Sequence, residues 1–530
     1  MKKTFSTYID WTNLPNSKFA AGSILIILFA FSVAIRIPNL DRPLSGNHEW
    51  LTSTVLRHQQ IWHEAGIQKY NFSPIMTYAN NADKNISNHG SVQAPDGSSY
   101  YMSYPPFAYI APYLLFEALG IYPDVLPLQM FNIVCHFISG FLIFLIISLL
   151  SMKQYSNRLN IPAIVGFIVY IFSPETMWFQ SNVYMADMFV QPFFIGVIYL
   201  LLRLMINNKN SFVGYVVLAV ANFFMVYTEW IGLFLDFSFL LWLLLKCRRQ
   251  VNADLKKTLL VLIMTAIAAV TLTFWQYCQV TGFDALITTS VNKYIGRSGL
   301  IEGSDGNDHF LNIKSWKFLF NSYLKGYFIF LIAIPFCLYY FNKLRKENQS
   351  HDLIDNQEVS LTLFLSFMPV LMHHLIFFNF TSHHSFSILK SSVIIAILLA
   401  LLYHRFIIFY EQNVLPRKKI IWINIFIVLT IVISMSRYVS FVKGTMRNEY
   451  KNIGQYIQKT AESSEVVFIK PTGKFDIPPQ IIFYAQRNIA GWTDEKAAKE
   501  LIEKNGMQRG VIFVLNKENK QVTDVEYIMK

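Results

Sequence analysis

Charge is scarce in this sequence: 15% of its 530 residues are charged, against 53% hydrophobic and 16% aromatic. Cysteine is scarcer still. The four present, Cys135, Cys247, Cys278 and Cys337, lie in or beside apolar stretches, which excludes a disulfide framework and offers no metal-ligand spacing. A glycine-rich phosphate loop is missing, which speaks against nucleotide binding, and no internal repeat is visible. A cleavable signal is missing too. The first apolar run follows a polar leader of about eighteen residues and lacks a small-residue cleavage site, so it reads as a retained span. The net charge of +12 sits mostly in short loops and needs no nucleic-acid partner.

What is present is a series of apolar stretches of about 17–25 residues, the length needed to cross hydrocarbon as helix. They are continuously apolar rather than alternating, so they predict helices and not a barrel. The expected spans are 19–37, 127–150, 161–178, 187–206, 212–228, 231–246, 258–280, 324–341, 359–379, 385–403 and 419–437. Lys2, Lys3 and Lys18 put the N-terminus in the cytoplasm. Alternate loops then carry Lys153 and Arg158, Arg203 and Lys209, Lys246, Arg248 and Arg249, Lys343 and Arg345, and Arg417 to Lys419. The opposite turns near Asp187 and Glu229 carry no Lys or Arg. That asymmetry predicts about eleven spans, with the C-terminus outside an inner (plasma) membrane.

Three segments between spans have their own pattern. LTSTVLRHQQIWHEAG, from Leu51, repeats apolar residues as a helix lying on the interface would. The proline-rich YPPFAYIAPYLLFEALG, from Tyr104, is short for a span and reads as juxtamembrane or re-entrant. The outer loop 281–323 predicts another interfacial helix. From Arg447 helix and strand patterns alternate as in a small α/β unit. The expected organisation is a cytoplasmic leader 1–18, a membrane domain 19–446 with a large first outer loop 38–126, and a soluble extracytoplasmic α/β domain 447–530.

The candidate chemistry sits where apolar helix meets polar loop, on the outer side. Glu49, flanked by His48 and Trp50, is either a part-shielded general base or a solvated loop acid or helix cap. Asp187, in QSNVYMADMFVQPFF, is either a functional acid or an N-terminal cap, and Glu229 in YTEWIG reads the same way. Asp236 lies deeper in LFLDFSFL, where an acid needs a partner the sequence does not name. His383 and His384 are adjacent, so one functional histidine is expected rather than a shared ligand. Lys390 either acts on substrate or snorkels to lipid phosphate, and Lys293, Tyr294 and Arg297 are further phosphate binders.

The order of these elements resembles the GT-C superfamily of membrane glycosyltransferases, in particular the protein O-mannosyltransferases and the bacterial transferases that add aminoarabinose to lipid A. The likeness rests on an acid shortly after the first span, a long first outer loop, Tyr104-Pro105-Pro106-Phe107, Asp187 at an outer helix mouth, and FYAQRNI (483–489) near the end. The sequence departs from that pattern where an acidic pair is replaced by His48-Glu49, and where Tyr104 stands for a histidine. The resemblance implies a donor sugar on a polyprenyl phosphate and an acceptor that is a glycan, a lipid or a protein hydroxyl. It implies Glu49 as the base, with Asp187 orienting the acceptor or joining Glu49 on a divalent cation such as Mg or Mn. His48, Tyr104, Glu229, Lys293, Arg297, His383, His384 and Lys390 would bind substrate. An O-antigen ligase or polymerase, or a lipid-linked sugar transporter, remains an alternative at this stage.

Overall fold

The computed structural model describes residues 17–87, 90–155, 159–206, 212–246, 253–299, 310, 312–347, 356–443, 447–473, 476–516 and 520–530. Lys2, Lys3, Arg158, Lys209, Cys247, Arg248 and Arg249 lie outside the described residues.

Backbone in hydrocarbon must satisfy its own hydrogen bonds, so the apolar runs become helices. α1 (Ser17–Arg36) leads into a first loop that holds α2 (Glu49–Ala65), the hairpin β1 (Ser91–Gln93) and β2 (Ser99–Tyr101), and α3 (Phe107–Leu119). Then follow α4 (Val125–Tyr155), α5 (Ile161–Ile171), α6 (Pro174–Phe179), α7 (Ala186–Ile206), α8 (Phe212–Val226), α9 (Ile231–Lys246) and α10 (Ala253–Thr281). After α11 (Phe283–Ser298) come α12 (Ile313–Glu347), α13 (Gln357–Ile376), α14 (Phe378–His383), a 3-10 turn (Ser385–Lys390), α15 (Ser391–Glu411) and α16 (Arg417–Lys443). Among the described residues eight helices are long and apolar enough to cross a membrane: α1, α4, α7, α10, α12, α13, α15 and α16. The shorter apolar α5, α8 and α9 fall on the remaining expected segments, and α3 is short as well.

Two sequence-based expectations need correction. The span expected at 161–178 is broken. Pro174 has no N–H to continue a helix and pushes Ser173 to extended backbone (φ −61°, ψ 133°), so α5 stops and α6 restarts. Irregular backbone of this kind survives because protein covers it: Asn132 Nδ2 donates to Phe179 O (2.9 Å) and Val183 O (2.7 Å). The helix expected on the interface is instead buried over almost its whole length as α2. Its polar residues find partners inside: Gln59 donates to Tyr109 O (3.3 Å), Gln60 to Pro123 O (3.1 Å), and Arg57 to Met76 O.

The chain ends in α17 (Glu449–Thr460), β3 (Glu465–Pro471), α18 (Pro479–Ala485), β4 (Ile489–Gly491), α19 (Glu495–Lys504), β5 (Arg509–Asn516) and β6 (Gln521–Met529). The sheet order is β4-β3-β5-β6, with β3 parallel to both neighbours and β6 antiparallel to β5. Parallel neighbours need crossover helices, which α18 and α19 supply. The central strand β3 is buried through its first five residues, as a strand covered on both faces should be. Gly454 lets α17 lie directly on α18: a Cβ there would stand 2.8 Å from Ile481 O and 2.5 Å from Tyr484 Cβ.

This unit is fastened to the first loop by the FYAQRNI segment. Arg487 Nε donates to both oxygens of buried Asp83 (3.1 and 3.2 Å), and Asn488 N donates to the same carboxylate (2.9 Å). Burial pushes the Asp83 carboxyl up to about 6, even with the Arg487 guanidinium against it. Tyr78 N donates to Asn488 Oδ1 (3.1 Å), and Leu44 N to Tyr484 Oη (2.9 Å). The Tyr-x-x-Arg element is therefore a clamp between the last unit and the first loop.

Candidate active site

Glu49 is the first residue of α2 and is wholly buried. Arg42 Nε and Nη2 both reach its Oε1 at 2.9 Å, while Oε2 accepts from Ser45 N (2.9 Å) and Gly46 N (3.1 Å). Arg42 in turn lies over the Trp178 ring, 4.8 Å from its centroid. Desolvation raises the Glu49 carboxyl, and the Arg42 charge and the two backbone donors oppose it. Both oxygens thus have partners within the loop.

The neighbouring residue faces the other way. His48 takes a left-handed backbone (φ 68°, ψ 12°), which turns its ring out of the α2 axis. Its Nε2 lies 3.0 Å from Ser385 Oγ, its Nδ1 has no hydrogen-bond partner among the described residues, and its ring is 6.2 Å from that of His384. Burial holds His48 down at about 4 and His384 at about 3, so both rings are neutral at neutral pH.

Ser385 begins the 3-10 turn whose last residue is Lys390. This turn joins His48 to a second group, set by the ends of spanning helices. Asp187 stands in the first turn of α7 and is fully buried. Its Oδ1 accepts from Lys390 Nζ, and its Oδ2 has no hydrogen-bond partner among the described residues. Glu229, in the turn between α8 and α9, accepts from Ile231 N through Oε2 (2.8 Å) and sets Oε1 3.7 Å from Lys390 Nζ. His373 of α13 completes the group, with Nε2 3.4 Å from Lys390 Nζ and 3.6 Å from Glu229 Oε1.

The cationic rim comes from α11. Arg297 donates to Ser103 O (3.2 Å) and lies between the rings of Tyr104 (5.0 Å) and Phe380 (4.9 Å). The Tyr104 hydroxyl below it is buried without a hydrogen-bond partner among the described residues. Lys293 donates to Gly90 O (2.8 Å) and Ser103 Oγ (3.0 Å). Burial, with the Arg297 charge adding to it, lowers Lys293 to about 7. The charges of both Arg297 and Asp187 act on His384.

The structure therefore brings His48, Tyr104, Asp187, Glu229, Arg297, His384 and Lys390 into one neighbourhood, with Lys293 at its margin. Three readings gain detail. His383 hydrogen-bonds Asn379 O (2.8 Å) on its own helix, away from its neighbour His384. Lys390 is fully buried on acids rather than snorkelling to lipid. Asp236 has a partner, Asn222 Nδ2 at 3.1 Å. Sequence reasoning missed Arg42, Ser385 and His373. Only His373 carried a signal, as an ionisable residue inside an apolar helix.

The sequence matches no family model and no curated protein. Its fold is nevertheless shared. The oligosaccharyltransferase of Archaeoglobus fulgidus, in the apo form, superposes with a TM-score of 0.58 at 10% identity, covering 94% of this chain and 70% of that one. The same enzyme in complex with Zn and sulfate gives 0.56 at 12% identity, over 92% and 68%. ArnT from Cupriavidus metallidurans, bound to undecaprenyl phosphate, gives 0.55 at 12% identity and covers 94% of both chains. At such identities the likeness is one of architecture: the chain shares the fold of these membrane proteins, the fold that the resemblance to GT-C glycosyltransferases implied.

Proposed function

We propose that this protein is an integral-membrane glycosyltransferase. It moves a sugar from a polyprenyl-phosphate-linked donor to an acceptor hydroxyl on the extracytoplasmic face, with inversion at the anomeric carbon. The observation that carries this reading is the junction at Ser385–Lys390, which ties a neutral His48 to the buried Asp187–Lys390–Glu229 group at the helix mouths. The ArnT structure bound to undecaprenyl phosphate supports a lipid-phosphate donor in this architecture.

The chemistry divides among named groups. His48 Nδ1, neutral and without a partner among the described residues, takes the acceptor's proton as its oxygen attacks the anomeric carbon. Glu49 positions His48 by pinning the loop before α2. Asp187 Oδ2 accepts a hydrogen bond from the acceptor and orients it. The bond to the phosphate oxygen breaks, and Arg297 and Lys293 stabilise the departing phosphate, which needs charge more than a proton.

A divalent cation shared by Glu49 and Asp187 does not fit this arrangement. Glu49 is saturated by Arg42 and two backbone N–H groups, and Asp187 Oδ1 is on Lys390. Among the described residues, no three His, Cys, Asp or Glu side chains stand together as a metal site.

The test is incubation of the purified protein with a set of polyprenyl-phosphate sugars, scoring which donor is consumed. Consumption of one donor, lost in His48→Ala, is expected. Flipping of a lipid-linked sugar across vesicles without any transfer would replace this reading with a transporter.

A further inference from the structure

Three acceptor atoms, Asp187 Oδ1, Glu229 Oε1 and His373 Nε2, face one point without being grouped closely enough to hold a metal ion as they stand. The point is Lys390 Nζ, which donates to Asp187 and lies 3.7 Å from Glu229 and 3.4 Å from His373. The four residues come from α7, the α8–α9 turn, α13 and the 3-10 turn, and all are buried. The Glu229 and His373 distances suit an ammonium and exceed the roughly 2.0–2.2 Å of metal–ligand bonds.

We propose that the Lys390 ammonium stands in for a divalent cation, so that the site carries its own positive charge and works without added metal. Two carboxylates buried at one place repel each other unless a cation lies between them. A metal ion would have to be delivered from water, whereas the lysine is already attached, donating to Asp187, with His373 within hydrogen-bond reach and Glu229 at ion-pair distance. A single positive charge in place of two also leaves the group more negative. That suits an Asp187 Oδ2 that must still accept from a hydroxyl. The inference rests on the transferase reading in its kinetic arm only; its binding arm stands alone.

The experiment compares Mn²⁺ binding to the full-length wild type, Lys390→Ala and Lys390→Ala/Asp187→Asn by electron paramagnetic resonance, in detergent or nanodiscs. The wild type is expected to bind no Mn²⁺ at this site, Lys390→Ala to bind it stoichiometrically, and the double variant to lose that binding. Donor consumption by the wild type should be unchanged by EDTA. Mn²⁺ bound by the wild type and lost in Asp187→Asn would overturn the proposal, as would wild-type turnover abolished by EDTA and restored by Mn²⁺. A folded Lys390→Ala that binds no Mn²⁺ also overturns it. Should Lys390→Ala not fold, the wild-type binding and chelation results decide. A wild type that consumes no donor at all would count against the transferase reading and leave the binding arm to judge the cation.

Discussion

His48 Nε2 lies 3.0 Å from Ser385 Oγ, linking residues 337 positions apart in the chain. Through this contact the loop after the first span touches the turn that ends in Lys390. Replacing His48 by Ala should lower transfer by about 10²–10⁴-fold while leaving the protein folded. Glu49→Gln should cost less activity but more stability, since it leaves Arg42 buried without its full counter-charge. Turnover of the two purified variants, with thermal melts, separates the roles. A dead Glu49→Gln beside a near-normal His48→Ala would return the base to Glu49.

The same histidine predicts a pH profile. Burial lowers His48 from 6.5 to about 4, so the unfolded chain binds this proton more readily than the folded one. Its contribution to stability is complete above pH 6.5 and is lost as pH falls through about 4. The acid limb of kcat/KM should accordingly lie near 4. A limb near 6.5 that vanishes in His48→Asn would mean that the ring is open to water in the working enzyme.

Asp187 and Asp236 should behave oppositely. Asp187→Asn removes the carboxylate that holds Lys390, and transfer should fall by at least about tenfold. Asp236 sits on Asn222, and its Oδ1 has no hydrogen-bond partner among the described residues. Asn at this position keeps a polar group of the same shape against Asn222 with no carboxyl to bury, so Asp236→Asn should leave transfer intact and hold or raise the melting temperature. Loss of transfer in Asp236→Asn would bring that residue into the site.

The clamp gives a purely structural prediction. Arg487→Ala leaves Asp83 buried without its ion pair, a change worth about 3–5 kcal/mol. Hydrogen exchange of residues 76–86 should speed up, with the spanning helices unaffected. Unchanged protection there would show that the remaining contacts, among them Asn488, Tyr484 and Asn505, hold the unit without Arg487.

Much of the architecture was legible in the sequence because hydrocarbon imposes long apolar runs, and those mark their own boundaries. The C-terminal α/β unit was legible from its switch of period. The break at Pro174 was not, since an apolar run hides where a helix stops unless the proline is weighed against it. The acids Asp187 and Glu229 stood out by position. Their partner did not: Lys390 lies 203 residues from Asp187, and no local pattern reports a pairing at that separation. Arg42 and Glu49, seven apart in an irregular loop, share no helical or strand spacing that would announce their bond. The left-handed backbone at Asn47 and His48, just before α2, has no signal in composition.

The Asp83–Arg487 pair also sets an order of events during synthesis. Its two halves are separated by 404 residues, and at about 5–20 residues per second the ribosome needs on the order of 20–80 s to make that stretch. Throughout that interval the early loop has emerged while the unit that will cover it does not yet exist. Nascent chains must therefore wait, half-assembled, with Asp83 and its surroundings open to water, and quality-control proteases have their opportunity in that pause.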